Sequence, residues 1–378
     1  MKNFYHRTWA EIDLDVLKKN LEIIRGYAGN KDIIAIVKAN AYGHGDAGTA
    51  KALNGCGVKH FAVSNLWEAQ NLSDARVEGD ILIFGYCDIP LVIDNIDKNY
   101  IFTIGSVPYA EELSDAAVKA GVRIPVHIKF DTGMSRVGIT TAEEADKILA
   151  LPGLDCRAGY THFAVADSLE EQDEEFTKLQ YKRIADICKP RHLPIHCQNS
   201  GGILFHTDFE ADFVRAGIVM YGHRPNIEYA LPDGISSIFS LKSVISQIKT
   251  IQPGDTVSYG RTFRADKPTR LALIPCGYAD GFNRGLSGKW NVLICGRPAP
   301  VCGRICMDQT LIDITDIPEA KLGDVVTVYS NETFGGSSVD HAAELVGTIS
   351  YELLCCIGTR VPRLYIENGE EKDLLRYL

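Results

Sequence analysis

Ile33-Ile34-Ala35-Ile36-Val37-Lys38-Ala39-Asn40-Ala41-Tyr42-Gly43-His44-Gly45 is the stretch on which the reading of this chain turns. Its first five residues are apolar and rich in β-branched side chains, the pattern of a strand buried on both faces. A lysine closes the run and a glycine-rich turn follows. At the mouth of such a strand the ammonium sits close to low-dielectric surroundings, which disfavour its charged form and lower its pKa. A partly neutral amine is a nucleophile toward carbonyl carbon. The plainer alternative is a lysine whose stem leaves the strand end and carries its charge into water.

Similar runs recur along the chain. Candidate strands fall near 60–63, 81–85, 100–104, 124–130, 156–163, 194–198 and 212–219, which with the Lys38 strand makes eight. Amphipathic segments such as Val107–Ala120 and Leu169–Cys188 lie between them. Eight strands alternating with helices over about 230 residues predict a (β/α)8 barrel of the TIM type. From about Ser237 the pattern changes to short strands separated by Pro-Gly-Asp, Asp-Lys-Pro, Gly-Arg-Pro and Gly-Gly turns, with one helical stretch near Val339–Leu345. The expected division is therefore an α/β barrel over 1–236 and a mostly β C-terminal domain over 237–378.

Composition narrows the function classes. The formal charge of −10 argues against nucleic-acid and anionic-membrane partners, which need a basic face. No run of about 18 apolar residues is present, so the sequence predicts no membrane span. Met1–Arg7 leads into Glu11 and Asp13 without an apolar segment, which reads as no secretory signal and a cytoplasmic setting. The eleven cysteines include no Cys-x-x-Cys pair, so they read as buried, reduced thiols rather than zinc ligands. No metal is expected.

Barrel enzymes carry their chemistry at the C-terminal ends of the strands. Lys38 ends the first barrel run, Lys129 the fifth and His162 the sixth, while His196 lies in the seventh. Asn199-Ser200-Gly201-Gly202 and Ala216-Gly217-Ile218 follow the last two runs, where small residues let backbone N–H groups approach an anion. A reactive lysine and a phosphate site at one mouth together suggest pyridoxal phosphate. A competing reading is a metal-dependent barrel hydrolase, with His127, His162 and His196 as ligands and a carbamylated Lys129 as a bridge.

The ordered motifs carry a resemblance. Ala35-Ile36-Val37-Lys38-Ala39-Asn40-Ala41-Tyr42-Gly43-His44-Gly45 is followed by Lys129-Phe130-Asp131-Thr132-Gly133-Met134-Ser135-Arg136-Val137-Gly138, Thr161-His162-Phe163-Ala164 and Arg215-Ala216-Gly217-Ile218-Val219-Met220-Tyr221-Gly222. Val257-Ser258-Tyr259-Gly260, Gly277-Tyr278-Ala279-Asp280-Gly281, Gly303-Arg304-Ile305-Cys306-Met307-Asp308-Gln309 and Tyr351-Glu352-Leu353-Leu354 complete the set. From Thr8 to about Tyr365 the chain resembles the alanine racemases, isomerases among the fold-type III pyridoxal-phosphate enzymes. The resemblance implies that Lys38 holds the cofactor and serves one face of the substrate as acid and base, with Tyr259 on the other face.

It further implies that Arg215, a donor-only group, faces the cofactor ring nitrogen and disfavours its protonation. Tyr42, Ser200 and Tyr351 would donate hydrogen bonds to the phosphate or pocket, with the N–H groups near Gly217 and Ile218. His162 would support Arg215, His196 would pack under the ring, and Arg136 would take the substrate carboxylate or the cofactor phenolate. Lys129 matches a position carbamylated in some members. Tyr259, Met307 and Asp308 would reach the cofactor of the partner in a homodimer, and Asp167, Tyr278, Arg284 and Arg304 would line a narrow entry. Tyr351 would narrow the pocket toward alanine, with serine or broader amino-acid substrates as alternatives. D-alanine for peptidoglycan is the product the family implies. A decarboxylase of the same fold is disfavoured by Arg215, and a non-catalytic pyridoxal-phosphate carrier by residues 237–378.

Overall fold

The structure is a computed structural model that describes residues 7–331 and 337–375. Thr8–Asp13 forms β1. Eight short strands then follow: β2 (Asp32–Ile36), β3 (His60–Val63), β4 (Asp80–Ile83), β5 (Tyr100–Ile104), β6 (Ile124–Lys129), β7 (Leu154–Tyr160), β8 (Ile195–His196) and β9 (Phe213–Ala216). Strands β2 to β9 pair in parallel with their neighbours, and β9 returns to β2, closing the barrel. Each expected barrel run is one of these strands, most of them apolar runs buried on both faces, with β7 partly exposed in its N-terminal half at Asp155, Cys156 and Arg157.

The intervening helices are specified locally. Val107–Ala120 starts after Ser106, carries Pro108 in its first turn and ends at Gly121, whose φ of 71° is left-handed. Ala110, Leu113 and Ala117 form its buried stripe. Ala142–Leu149 begins with a capping box in which Thr141 and Glu144 satisfy each other's backbone N–H groups. A Gly121→Ala variant is expected to lose about 1 kcal/mol of stability from the left-handed backbone alone, since open space surrounds the added carbon. Urea unfolding checks this.

The remaining strands are β10 (Phe239–Val244), β11 (Gln247–Ile251), β12 (Thr256–Val257), β13 (Phe263–Arg264), β14 (Thr269–Ile274), β15 (Asn291–Ile294), β16 (Arg297–Cys302), β17 (Thr310–Asp313), β18 (Val325–Tyr329), β19 (Arg363–Glu367) and β20 (Glu370–Leu375). Ten strands make one sheet in the order β11-β14-β17-β16-β15-β18-β10-β1-β19-β20, and β12 pairs with β13. Trp9, Val244 and Leu364 build one core of this unit, and Val257, Leu271 and Cys302 another.

By contacts the chain forms two compact units: Leu21–Ala41 with Thr49–Met220, and the described part of Met1–Asn20 with Tyr42–Gly48 and Tyr221–Leu378. A division at 236/237 leaves β1 and Tyr42–Gly48 on the barrel side, whereas by contacts both cluster with the β-rich unit. The physical reason is pairing. β1 runs antiparallel to β10 from Thr8↔Ser243 to Ile12↔Phe239, and parallel to β19. The Tyr42–Gly48 segment is held by Arg363, wholly buried, whose Nε donates to the Gly43 carbonyl at 2.9 Å. Its terminal nitrogens donate to the carbonyls of Ile357, Gly358 and Val361. No described helix is long and apolar enough to cross a membrane.

Candidate active site

Lys38 stands two residues beyond the end of β2, half-buried, at the start of an unusual turn. Ala39, Asn40, Ala41 and Tyr42 all have φ between 52° and 55°, a left-handed helical turn made without glycine. Such a backbone costs about 1–2 kcal/mol per residue and persists only where its surroundings impose it. Here Glu68 supplies much of that constraint. Its carboxylate accepts from the Ala39 N–H at 2.8 Å and from the Ser64 N–H at 2.6 Å, tying the exits of β2 and β3 together. Val37 N–H bonds the Ala62 carbonyl, and Ala41 N–H bonds the Val37 carbonyl.

Inside the barrel, strand register sets the remaining groups in one row. Lys129 on β6 pairs with Tyr160 on β7, which pairs with His196 on β8. Ile34 on β2 is the partner of Arg215 on β9. Lys129, Tyr160, His196 and Arg215 are all buried, and so is His127. The His196 ring stacks on Tyr160 at 4.8 Å and 6°. The Tyr160 hydroxyl lies 2.9 Å from Thr103 Oγ1, which itself donates to the Ile83 carbonyl. Thr103 therefore accepts from Tyr160, and burial pushes that phenol up to about 12.

Arg215 is the hub of this interior. Its Nη1 donates to Nδ1 of His196 at 3.0 Å and to the His196 carbonyl at 2.7 Å. Its Nη2 faces the carbonyls of Thr161 at 2.8 Å and Cys197 at 3.0 Å, and Nδ1 of His162 at 3.3 Å. The carboxylate of the neighbouring Asp212 accepts the Ile195 N–H. His162 is held well below its ordinary pKa, first by burial and then by four cations, Arg215, Arg136, Lys38 and Lys129. Lys129 is lowered to about 8 by burial, with Arg215 and Arg136 adding to the effect and Asp131 opposing it. Its Nζ donates to the Phe130 carbonyl at 2.6 Å.

Ser200 opens the 200–205 helix and its hydroxyl accepts the Val219 N–H at 3.4 Å, joining it to the turn that contains Gly217 and Ile218. Gly201 packs so closely on the Ala166–Asp167 backbone that a Cβ there would lie 2.8 Å from it. Asp167 is half-buried and its carboxyl is raised by that burial. Arg136 is exposed at the end of the 131–138 loop. The three histidines of the hydrolase reading are turned to other uses. His196 spends both ring nitrogens, on Arg215 and on His127, so the trio is not a ligand set.

The β-rich unit gathers the other candidates in two places. Tyr42 and Tyr351 meet edge-on, with ring centroids 5.9 Å apart. Elsewhere three loops converge. Ser258 Oγ donates to the Arg304 carbonyl at 2.6 Å, and Tyr278 N–H bonds the Cys306 carbonyl. Tyr259, 71% exposed, Met307, 52%, and Tyr278, 41%, thus project from one tied cluster of loops. Asp308 is fixed by Arg360 at 2.6 Å, and the wholly buried Asp280 takes both Arg360 and Arg7. Arg284 and Arg304 are exposed.

A family model described as "Alanine racemase, N-terminal domain" matches residues 12–225, and "Alanine racemase, C-terminal domain" matches residues 238–365. The chain belongs to the alanine racemase family. An alanine racemase of Clostridium perfringens is 40% identical over 381 residues, covering 98% of both chains. One of Methanococcus maripaludis is 37% identical over 373 residues, covering 96% of this chain and 99% of its own. Among solved structures, alanine racemase of Clostridium difficile 630 superposes with a TM-score of 0.93 at 34% identity, covering all of both chains. The Bacillus anthracis enzyme with bound L-Ala-P gives 0.90 at 32% identity, covering 99% and 98%.

Three residues of this family member escaped the sequence reading: Glu68, Tyr160 and Arg363. Each acts through backbone atoms or another side chain, so its type alone carries no chemical signal. Arg363 is the extreme case, since an arginine beside Pro362 reads as a solvated turn residue.

Proposed function

We propose that this chain interconverts L- and D-alanine with pyridoxal phosphate bound in the barrel. One observation carries the reading: Arg215 reaches the half-buried His162 directly, its Nη2 lying 3.3 Å from Nδ1, and Lys38, Lys129 and Arg136 act on the same imidazole electrostatically. Four cations with no metal-ligand cluster among the described residues suit a cofactor phosphate and a substrate carboxylate. The donor set fits that cofactor. Lys38 offers the amine, Ser200 with the 217–219 turn offers a hydroxyl and backbone N–H groups, and Arg215 offers N–H donors only.

When bound, the cofactor would supply the electron withdrawal that acidifies the substrate Cα–H. This chain's residues do the rest. Nζ of Lys38 takes or returns the proton on one side, and the hydroxyl of Tyr259 does so on the other. Arg215 cannot accept a proton, which keeps the electron withdrawal moderate and favours simple proton return over other outcomes. Tyr351, whose ring meets that of Tyr42 edge-on, is the bulky phenol to which the preference for alanine over larger amino acids is assigned. Exposure of Tyr259, Met307 and Tyr278 supports their serving the site of a second copy in a homodimer, with D-alanine as a precursor for cell-wall synthesis.

The test is α-proton exchange in heavy water, read by NMR, for L-alanine, L-serine and L-lysine. Fast exchange with loss of chirality is expected for alanine first. No exchange by protein confirmed to hold the cofactor would overturn the assignment.

Lys129 has a further expected behaviour. A buried amine lowered to about 8 is increasingly neutral above that pH, and can attack carbon dioxide, releasing a proton to solvent and leaving a carbamate anion. That anion would neutralise the repulsion with Arg136 and Arg215. A carbamate signal from 13C-bicarbonate should grow as pH rises through about 8 and vanish in Lys129→Met. Its absence from wild type at pH above that value would remove the modification.

A further inference from the structure

We propose that His127 is a positioning residue: it fixes the His196 imidazole as the Nε2–H tautomer, so that the Nδ1 lone pair is presented to Arg215. The inference rests on the reading of Arg215 as the residue facing the cofactor ring.

The chain of protons follows from donor inventory. Arginine has only donors, so Nδ1 of His196, 3.0 Å from Nη1 of Arg215, is unprotonated. His196 then carries its proton on Nε2. That nitrogen lies 3.0 Å from Nδ1 of His127, which must accept. His127 in turn keeps its own proton on Nε2. Donation therefore runs one way, from Arg215 to His196 to His127, across β9, β8 and β6. Stacking on Tyr160 fixes the plane of the His196 ring, and the contacts of its two nitrogens with Arg215 and His127 fix its orientation within that plane.

The surroundings of His127 keep it an acceptor. Burial lowers it to about 3, Arg157 and His60 push the same way, and only Asp80 opposes them. The Asp80 carboxylate is itself engaged by His60, at 3.5 Å. A proton added to Nδ1 of His127 would set one N–H against another and force His196 to turn its own N–H toward Arg215. The guanidinium would then lose an acceptor and gain a repulsive contact.

No histidine motif announces this role. His127 is the fourth of the six residues of β6, ahead of the Lys129 motif, and the sequence offered it only as a metal ligand.

The test is two-bond 1H–15N NMR of histidine-labelled holoenzyme, with Cα-proton exchange of alanine measured on the same samples. Wild type should show His196 protonated on Nε2 alone between about pH 6 and about pH 8. In His127→Leu the single tautomer should give way to a mixture, with kcat lowered about tenfold or more and KM changed far less. His127→Asn places a carbonyl oxygen near the position of Nδ1 and should restore both. A wild-type His196 protonated on Nδ1 overturns the proposal without any variant. So does a His127→Leu protein with one Nε2–H tautomer and unaltered kcat, or a folded His127→Asn protein that behaves like His127→Leu. Absence of alanine exchange in wild type would sink the functional reading alone, leaving the tautomer assignment to the spectra.

Discussion

Lys38→Ala is expected to lower alanine racemisation by at least about 10³-fold, since in the proposed mechanism it removes both the cofactor's covalent anchor and one acid/base group. Polarimetry and Cα-proton exchange in heavy water measure it. The substitution should leave the fold intact. Lys38 is only half-buried, and the bonds of its turn to Glu68 and from Ala41 to Val37 run through backbone atoms rather than through the lysine side chain. Thermal melting within a few degrees of wild type would therefore separate lost chemistry from lost structure. Tyr259→Phe gives the contrast. With one face still served by Lys38, exchange should survive for one enantiomer while net racemisation falls. Wild-type exchange in Lys38→Ala would remove the lysine from the chemistry.

The barrel was legible because most of its strands are short apolar runs between helical patterns, and burial on both faces demands that composition. β1 was not. Thr8–Asp13 is neither an apolar run nor a strict alternation, and its place is settled by partners more than 200 residues away, Phe239–Val244 and Arg363–Glu367. Local pattern holds no record of such pairing. The candidate site was legible for the same kind of reason. Lys38, Arg215 and His162 stand where strands end, and a charged residue after an apolar run is conspicuous. Glu68 and Arg363 bind backbone atoms, which any donor or acceptor can do, so their types carry no signal. His127 shows the intermediate case: its position was noticed, but its partner on β8 decides its role, and only the register supplies that partner.

Arg215→Lys is expected to cost about 3 kcal/mol of stability or more, a large fraction of what holds an ordinary domain folded. The guanidinium reaches five acceptors: Nδ1 and the carbonyl of His196, the carbonyls of Thr161 and Cys197, and Nδ1 of His162. An ammonium has three donors in a tetrahedral array, so at least two buried acceptors lose their partner. Each loss costs about 1–3 kcal/mol where water cannot enter. The charge is retained, so the loss measures geometry rather than electrostatics. Urea unfolding with an unchanged slope should show a lowered midpoint. A loss below about 1 kcal/mol would mean that water reaches these carbonyls and that the interior is less closed than its burial indicates. The catalytic consequence has the same origin. Without the fork, His196 and His162 no longer share one rigid donor, and the imidazoles of the proposed cofactor pocket are free to turn. Activity should therefore fall in a variant that keeps every charge the wild type has.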